Sequence, residues 1–303
     1  MKLKNFLLAV LVFIGSFISS AQSNLLNAKI PEDIGKKTAA QLESDNDKPL
    51  PYGYVHDRDV LMGKMIWEKI DLDERVNFPL YFPVDTNSVA KDRRSLFQVL
   101  LNGIKSGKIS DVYDDDYFNA KKTYKDIISS FKYVDTTEVG IEVFNSDREG
   151  YSSGRLVLDK QYINETILDA SSVSAFKIKG FWYFDKRQSE LKYRLLAICP
   201  MAVKAIDVKS NGVDAELFWI YFPAVRDLLH EWKAFNDKNS AMPISFDHLL
   251  NSRRFSGNIY KEENVYGDRE IMNYMKDNAL NQLLESERVK EKIRSFESDM
   301  WNY

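Results

Sequence analysis

Two alternating runs joined by a short polar turn commit the middle of this chain to an antiparallel sheet. Phe176, Ile178, Gly180, Trp182 and Phe184 alternate with Lys177, Lys179, Phe181 and Tyr183, the pattern of a strand covered on one face and partly on the other. The turn Asp185 to Glu190 follows, and then Tyr193, Leu195, Ala197 and Cys199 alternate with Lys192, Arg194, Leu196 and Ile198. So short a connection makes the two strands antiparallel neighbours. After Lys209-Ser210-Asn211-Gly212 a third strand is predicted through Leu217, Trp219 and Tyr221.

Elsewhere the apolar residues recur at helical spacing. Leu61, Met65 and Leu72, with Glu68 between them, predict a first helix from about Asp57, ended by Asn77-Phe78-Pro79-Leu80-Tyr81-Phe82-Pro83, because proline lacks a donor and biases its predecessor toward extended geometry. A second helix is predicted over 92–105, with Leu96, Val99, Leu100 and Ile104 on one face and Gly107 as its cap. A third is predicted over 117–133 through Phe118, Lys121, Tyr124, Ile127, Ile128 and Phe131. Pro223 suits a first helical position before Val225, Leu228, Leu229 and Trp232. A short helix around Phe246 to Leu250 and an extended Phe255 to Lys261 lead to a long closing helix from Asp268 to about Trp301. Its Met272, Met275, Ala279, Val289, Ile293, Phe296 and Met300 nearly keep heptad spacing, but Gln282 and Ser286 break the seam and argue against a long coiled coil. The expected fold class is α+β: a helical N-terminal part, then an antiparallel sheet with flanking helices and a long C-terminal helix.

Lys2 and Lys4 precede an apolar run from Phe6 to Ile18, followed by Ser19, Ser20 and Ala21, the layout of a cleaved secretory signal. The expected organisation is a signal peptide over 1–21, an extended polar arm over 22–56 interrupted by Pro31, Pro49 and Pro51, a helical part over 57–135, and the sheet with its C-terminal helices over 136–303. The mature chain is expected to be soluble, since no later stretch approaches the roughly 20 apolar residues of a membrane helix. Cys199 is the single cysteine, so internal disulfides and cysteine-rich zinc sites are excluded and stability must come from core burial. With 42 Lys and Arg against 45 Asp and Glu, interspersed along the chain, there is no field of one sign to attract nucleic acid or an anionic membrane.

Motifs that carry chemistry are incomplete. His230-Glu231-Trp232-Lys233-Ala234 begins like a helical zinc-protease motif but holds alanine where the second ligand belongs, and only His56 and His248 remain elsewhere. Gly150-Tyr151-Ser152-Ser153-Gly154 matches the pattern of a nucleophile elbow, yet a polar loop precedes it and a predicted strand, Arg155 to Leu158, follows, so a flexible hairpin fits better. Asp114-Asp115-Asp116 lacks the ligand alternation of a calcium loop and is expected to lead the third helix, where negative charge favours the N-terminal dipole. Cys199 reads as a small apolar residue within a strand. No catalytic, cofactor-binding or metal residues are assigned. Aromatic residues are abundant, with 18 Phe, 16 Tyr and 5 Trp, and side chains with a polar tip favour protein interfaces.

Several phrases together resemble one family. Asp59 to Tyr81, with Trp67-Glu68-Lys69-Ile70-Asp71-Leu72 and Asn77-Phe78-Pro79-Leu80-Tyr81-Phe82-Pro83, is similar to the N-terminal signature of the gliding-motility family GldN, also called PorN. Asp92-Arg93-Arg94-Ser95-Leu96-Phe97, Lys177 to Pro200 and Phe246 to Tyr260 with Arg254-Phe255-Ser256 agree. The resemblance implies a non-enzymatic periplasmic component of the Bacteroidota type IX secretion system. It also implies homo-oligomeric rings with a GldK-like outer-membrane lipoprotein, contact with the GldL and GldM motor proteins, and association with the outer membrane through those partners. The competing readings are a periplasmic ligand- or glycan-binding protein, and a serine hydrolase using Ser152.

Overall fold

The computed structural model describes residues 30, 48–86, 89, 93–208, 212–236, 243–276 and 278–301. The chain divides into two units, Met1–Leu50 and Pro51–Tyr303. The signal segment and most of the arm lie outside the described residues, the arm being described at 30 and over 48–56, and of the first unit only a few positions are described, among them the exposed Ile30 and Leu50. Among the described residues no helix is long and apolar enough to cross a membrane.

The second unit is α+β. Its frame is the predicted hairpin: β4 (Val173–Asp185) and β5 (Glu190–Ala202) pair antiparallel, with Ile178 opposite Ile198 and Lys179 opposite Ala197. The strand after the turn is divided. β6 (Ala215–Glu216) and β7 (Ile220–Tyr221) pair separately with β5, on either side of a buried Leu217-Phe218-Trp219.

On the other side of β4 the structure overturns an expectation. Residues Val60–Asp71 form a strand, β1, paired antiparallel with β4 along nearly its whole length and with β10 (Asn258–Glu262) on its other edge. The sheet order is β10-β1-β4-β5-β6. The helical row fails because Leu61, its first member, is 49% exposed, while the consecutive Ile66, Trp67 and Glu68 are each 1% exposed. A strand buried on both faces loses its visible alternation, and here partners contributed by distant sequence outweigh local spacing.

The remaining helices follow with corrected bounds. Pro79 starts a single turn, α1 (Phe78–Tyr81), rather than ending a helix. α2 (Leu96–Lys105) begins where the Ser95 hydroxyl accepts the Gln98 N–H and ends at Gly107, whose φ of 73° is the left-handed conformation that suits glycine. The third helix is shorter than predicted: α3 (Tyr124–Phe131) opens with a capping box in which Thr123 and Asp126 each satisfy the other's backbone N–H. It runs directly into β2 (Lys132–Thr136), which pairs with β3 (Ile163–Ile167) as a separate two-stranded ribbon. Between them lie α4 (Glu138–Ser146) and α5 (Arg148–Ser152).

After β7 come α6 (Phe222–Glu231), the short pair β8 (Lys233–Ala234) and β9 (Ile244–Ser245), and α7 (Phe246–Asn251). The closing helix is two helices, α8 (Ile271–Tyr274) and α9 (Ala279–Trp301). The main core joins Leu96 and Leu100 of α2, Leu229 of α6 and Phe246 of α7 to Phe176 and Ile198 of the sheet. A second cluster gathers Trp67, Ala197, Cys199 and Trp219 with Tyr113, Phe118 and Tyr260, and a third seats α9 through Val289 and Ile293 on Ile66 and Ile259.

Candidate functional site

Ionisable side chains inside the fold are where chemistry would be expected, and two clusters stand out. The first lies on β1. The Glu68 side chain, 1% exposed, accepts from Arg253 Nη2 through both carboxylate oxygens at 2.9 and 2.8 Å. Arg253 sits just past α7 at a φ of 52°, and its guanidinium lies 4.3 Å from the Tyr193 ring centre and 5.1 Å from that of Trp182. Burial opposes the guanidinium's charge, yet the Glu68 carboxylate outweighs it and the Arg253 pKa is raised. Tyr193 is pushed up as well, by burial first and by the Glu68 charge second. Its ring crosses Gly180, where a Cβ would meet the Tyr193 hydroxyl at 2.1 Å.

The second cluster explains the acidic run. Lys179 Nζ donates to the Asp116 carbonyl at 2.9 Å and Lys261 Nζ to Asp116 Oδ2 at 3.2 Å. Both amines lie over aromatic rings, Lys179 4.3 Å from Tyr117 and Lys261 4.2 Å from Trp67. Burial lowers the Lys179 pKa. For Lys261 burial is outweighed by the Tyr117 hydroxyl and Asp116, and the pKa rises. Asp114 pairs with Lys122, and Asp115 accepts the N–H groups of Asn119 and Ala120. Asp116 therefore pins a loop onto the sheet while Asp114 and Asp115 brace that loop internally, and the run does not lead a helix.

Tyr117 donates to Asp268 Oδ2 at 2.8 Å, and the Asn264 N–H adds a bond at 2.9 Å. Burial would raise the Asp268 pKa, but these donors prevail and hold it below the ordinary 3.8. Asp169 is lowered in the same way, by the Ser171 and Ser172 hydroxyls and N–H groups against burial. A depressed carboxylate stabilises the fold fully above its unfolded value and loses that contribution as pH falls through the folded value. The contribution of Asp268 to the melting temperature should thus be whole above pH 3.8 and fade as the pH falls below it. Asp268→Asn should flatten that acid limb, and a variant titrating like the parent would refute this assignment.

The residues singled out in sequence are not brought together. Ser152 ends α5, which follows α4 with no strand before it, and the residues after Gly154, whose φ is 74°, form no strand. The predicted hairpin and following strand are thus replaced by a helical turn capped by Asp147, whose carboxylate accepts the Gly150 N–H at 3.0 Å. His230 lies on α6 and His248 on α7, and among the described residues no group of three or more His, Cys, Asp or Glu could hold a metal. Cys199 is fully buried and its thiol pKa is raised by burial, which disfavours the thiolate.

A profile described as gliding motility associated protein GldN matches residues 55–302. The chain belongs to the GldN family. No curated protein matches it. For this GldN-family chain the match begins just after a docked segment that sequence reading had assigned to the arm. Tyr52 donates to Asn251 Oδ1 at 2.9 Å, stacks 4.1 Å from the Arg226 guanidinium, and precedes Gly53, whose carbonyl accepts Arg194 Nη2 at 2.9 Å. Arg226 itself clamps α6 to α7 through a two-point pair with Asp247 at 2.8 and 3.1 Å. Tyr52→Ala should cost about 1–2 kcal/mol locally. Limited proteolysis around 48–56 should quicken while the melting of the core stays close to the parent's, and unchanged cleavage would count against this anchor.

Proposed function

We propose that the chain is a non-enzymatic structural subunit of the type IX secretion and gliding-motility machinery. In this reading it is exported to the periplasm and assembles in rings with a GldK-like lipoprotein at the inner face of the outer membrane. There it meets the GldL and GldM motor. The observation that carries the reading is the family match over residues 55–302. The interior charges support it, because Glu68, Arg253, Lys179, Lys261 and Asp116 are spent on one another and on aromatic faces, as expected of groups that hold a shape.

Two variants test it together. Deleting 22–51 should weaken co-purification with the GldK-like lipoprotein while thermal unfolding stays nearly unchanged, since Tyr52 and its partners remain. Ser152→Ala should leave secretion and co-purification intact. A secretion defect in Ser152→Ala with normal assembly would favour the hydrolase reading instead.

A further inference from the structure

A cleft of about 320 Å³ opens between α9 and the sheet, and it combines apolar walls with converging charged groups. Ile66, Trp182, Leu191 and Ile259 form its sheet side, and Ile293 faces them from α9. The volume falls at the small end of the roughly 300–1,000 Å³ usual for ligand sites, which pair apolar walls with a few polar groups that fix orientation. A gap left by imperfect packing alone has no reason to gather charge.

Three cations line this cleft, Arg253, Lys290 and Arg294, against two carboxylates, Glu68 and Glu297. Glu68 is already engaged, since both of its oxygens accept from Arg253 Nη2. Arg253 has donors left over: its Nη1 is buried, as is the hydroxyl of the adjacent Tyr193, and neither makes a well-formed hydrogen bond. Buried donors without acceptors are costly, so an acceptor brought to this guanidinium gains more than one brought to a solvated amine. Glu287 and Glu291 hold Lys290 and Arg294 along α9 at 2.8 and 2.9 Å, but these glutamates are 64% and 66% exposed, and surface pairs of this kind open at little cost. The cleft itself is left with an excess of one positive charge.

We propose that the cleft binds an apolar carboxylate of single negative charge. Its head is held by Arg253, Lys290 and Arg294, and a short apolar body lies against Trp182, Leu191 and Ile259. The planar guanidinium matches the carboxylate fork and is more weakly hydrated than an ammonium, which lowers the cost of meeting a ligand away from water. A phosphate offers the same acceptors, but its second charge is repelled by Glu68 and Glu297, and it presents nothing to the apolar walls. The last residue of a polypeptide and a free acyl chain both carry the favoured chemistry. The inference does not depend on the assembly reading above and is tested on the purified chain alone.

The experiment titrates the full chain calorimetrically at neutral pH with N-acetyl-leucine, N-acetyl-leucinamide, octanoate and acetate. N-acetyl-leucine, octanoate or both should bind at millimolar concentration. The amide and acetate should bind at least about tenfold more weakly, because the first lacks the charge and the second the apolar body. Binding of N-acetyl-leucine alone assigns the cleft to polypeptide ends, and binding of octanoate alone assigns it to acyl chains. Lys290→Gln with Arg294→Gln should raise the Kd about tenfold, whereas Glu297→Gln should lower it about threefold. The opposite signs distinguish an electrostatic site from a disturbed helix, since loosening α9 weakens binding in every variant. Equal binding of acid and amide, a Kd indifferent to the two glutamines, or no heat from either apolar carboxylate up to about 10 mM overturns the proposal.

Discussion

Replacing Arg253 with methionine is expected to destabilise the fold by about 3–5 kcal/mol, the usual cost of leaving one partner of a buried ion pair uncompensated. The loss falls on Glu68, whose side chain is 1% exposed and receives both of its ion-pair contacts from Arg253 Nη2. Methionine keeps much of the packing against Tyr193 and Trp182, so the effect reports the charge more than the volume. Adding Glu68→Met should recover a large part of the loss, because two apolar residues leave nothing charged to bury. Urea midpoints for the parent, both single variants and the pair decide the matter. A double variant less stable than Arg253→Met alone would show that the pair is not the source.

Gly180→Ala should be the next most damaging small change. A methyl group there meets the Tyr193 hydroxyl at 2.1 Å and the ring carbons at 2.2 and 2.3 Å, and the ring is held between Trp182 and the Arg253 guanidinium. Overpacking of this kind costs about 1–3 kcal/mol, and the backbone of β4 cannot retreat because β1 and β5 pair with it on both edges. The collision has one partner, so the cost should shrink sharply in a Tyr193→Ala background. Equal costs in both backgrounds would place the strain elsewhere.

Both variants act where sequence reading was blind, and the reasons are physical. α2 and α6 were legible because each buries one dominant face, which leaves a period in the residue order, whereas the β4–β5 hairpin, buried on both faces, was legible from the lysines and arginine alternating with apolar residues in its sequence and from its short polar turn. β1 buries both faces, so Glu68 took its place in an apparent helical row when it is in fact the partner of a residue 185 positions away. Lys179 stood on the face of the strand expected to be only partly covered, and nothing in the residue order showed that the loop pinned by Asp116 covers it. Family phrases were legible where single sites were not, since the match spans 55–302 and rests on many positions at once.

Gln282 and Ser286 illustrate the same limit from the other side. As polar interruptions they looked like defects in a heptad seam, yet they fall on the packed row with Val289, Ile293 and Phe296. Gln282 Nε2 donates to the Met275 carbonyl at 2.8 Å, and Ser286 accepts from Ile259. A polar side chain against a strand edge satisfies what an apolar one would leave unmade.

The hydroxyl of Ser286 has a consequence for how such molecules can aggregate. Terminal strands of open sheets recruit strangers through idle amide hydrogens and oxygens. On β10 one such amide is already consumed by Ser286, and the neighbouring Lys261 is bridged to Glu270. Strand-by-strand growth toward fibrils is thereby hindered along this border.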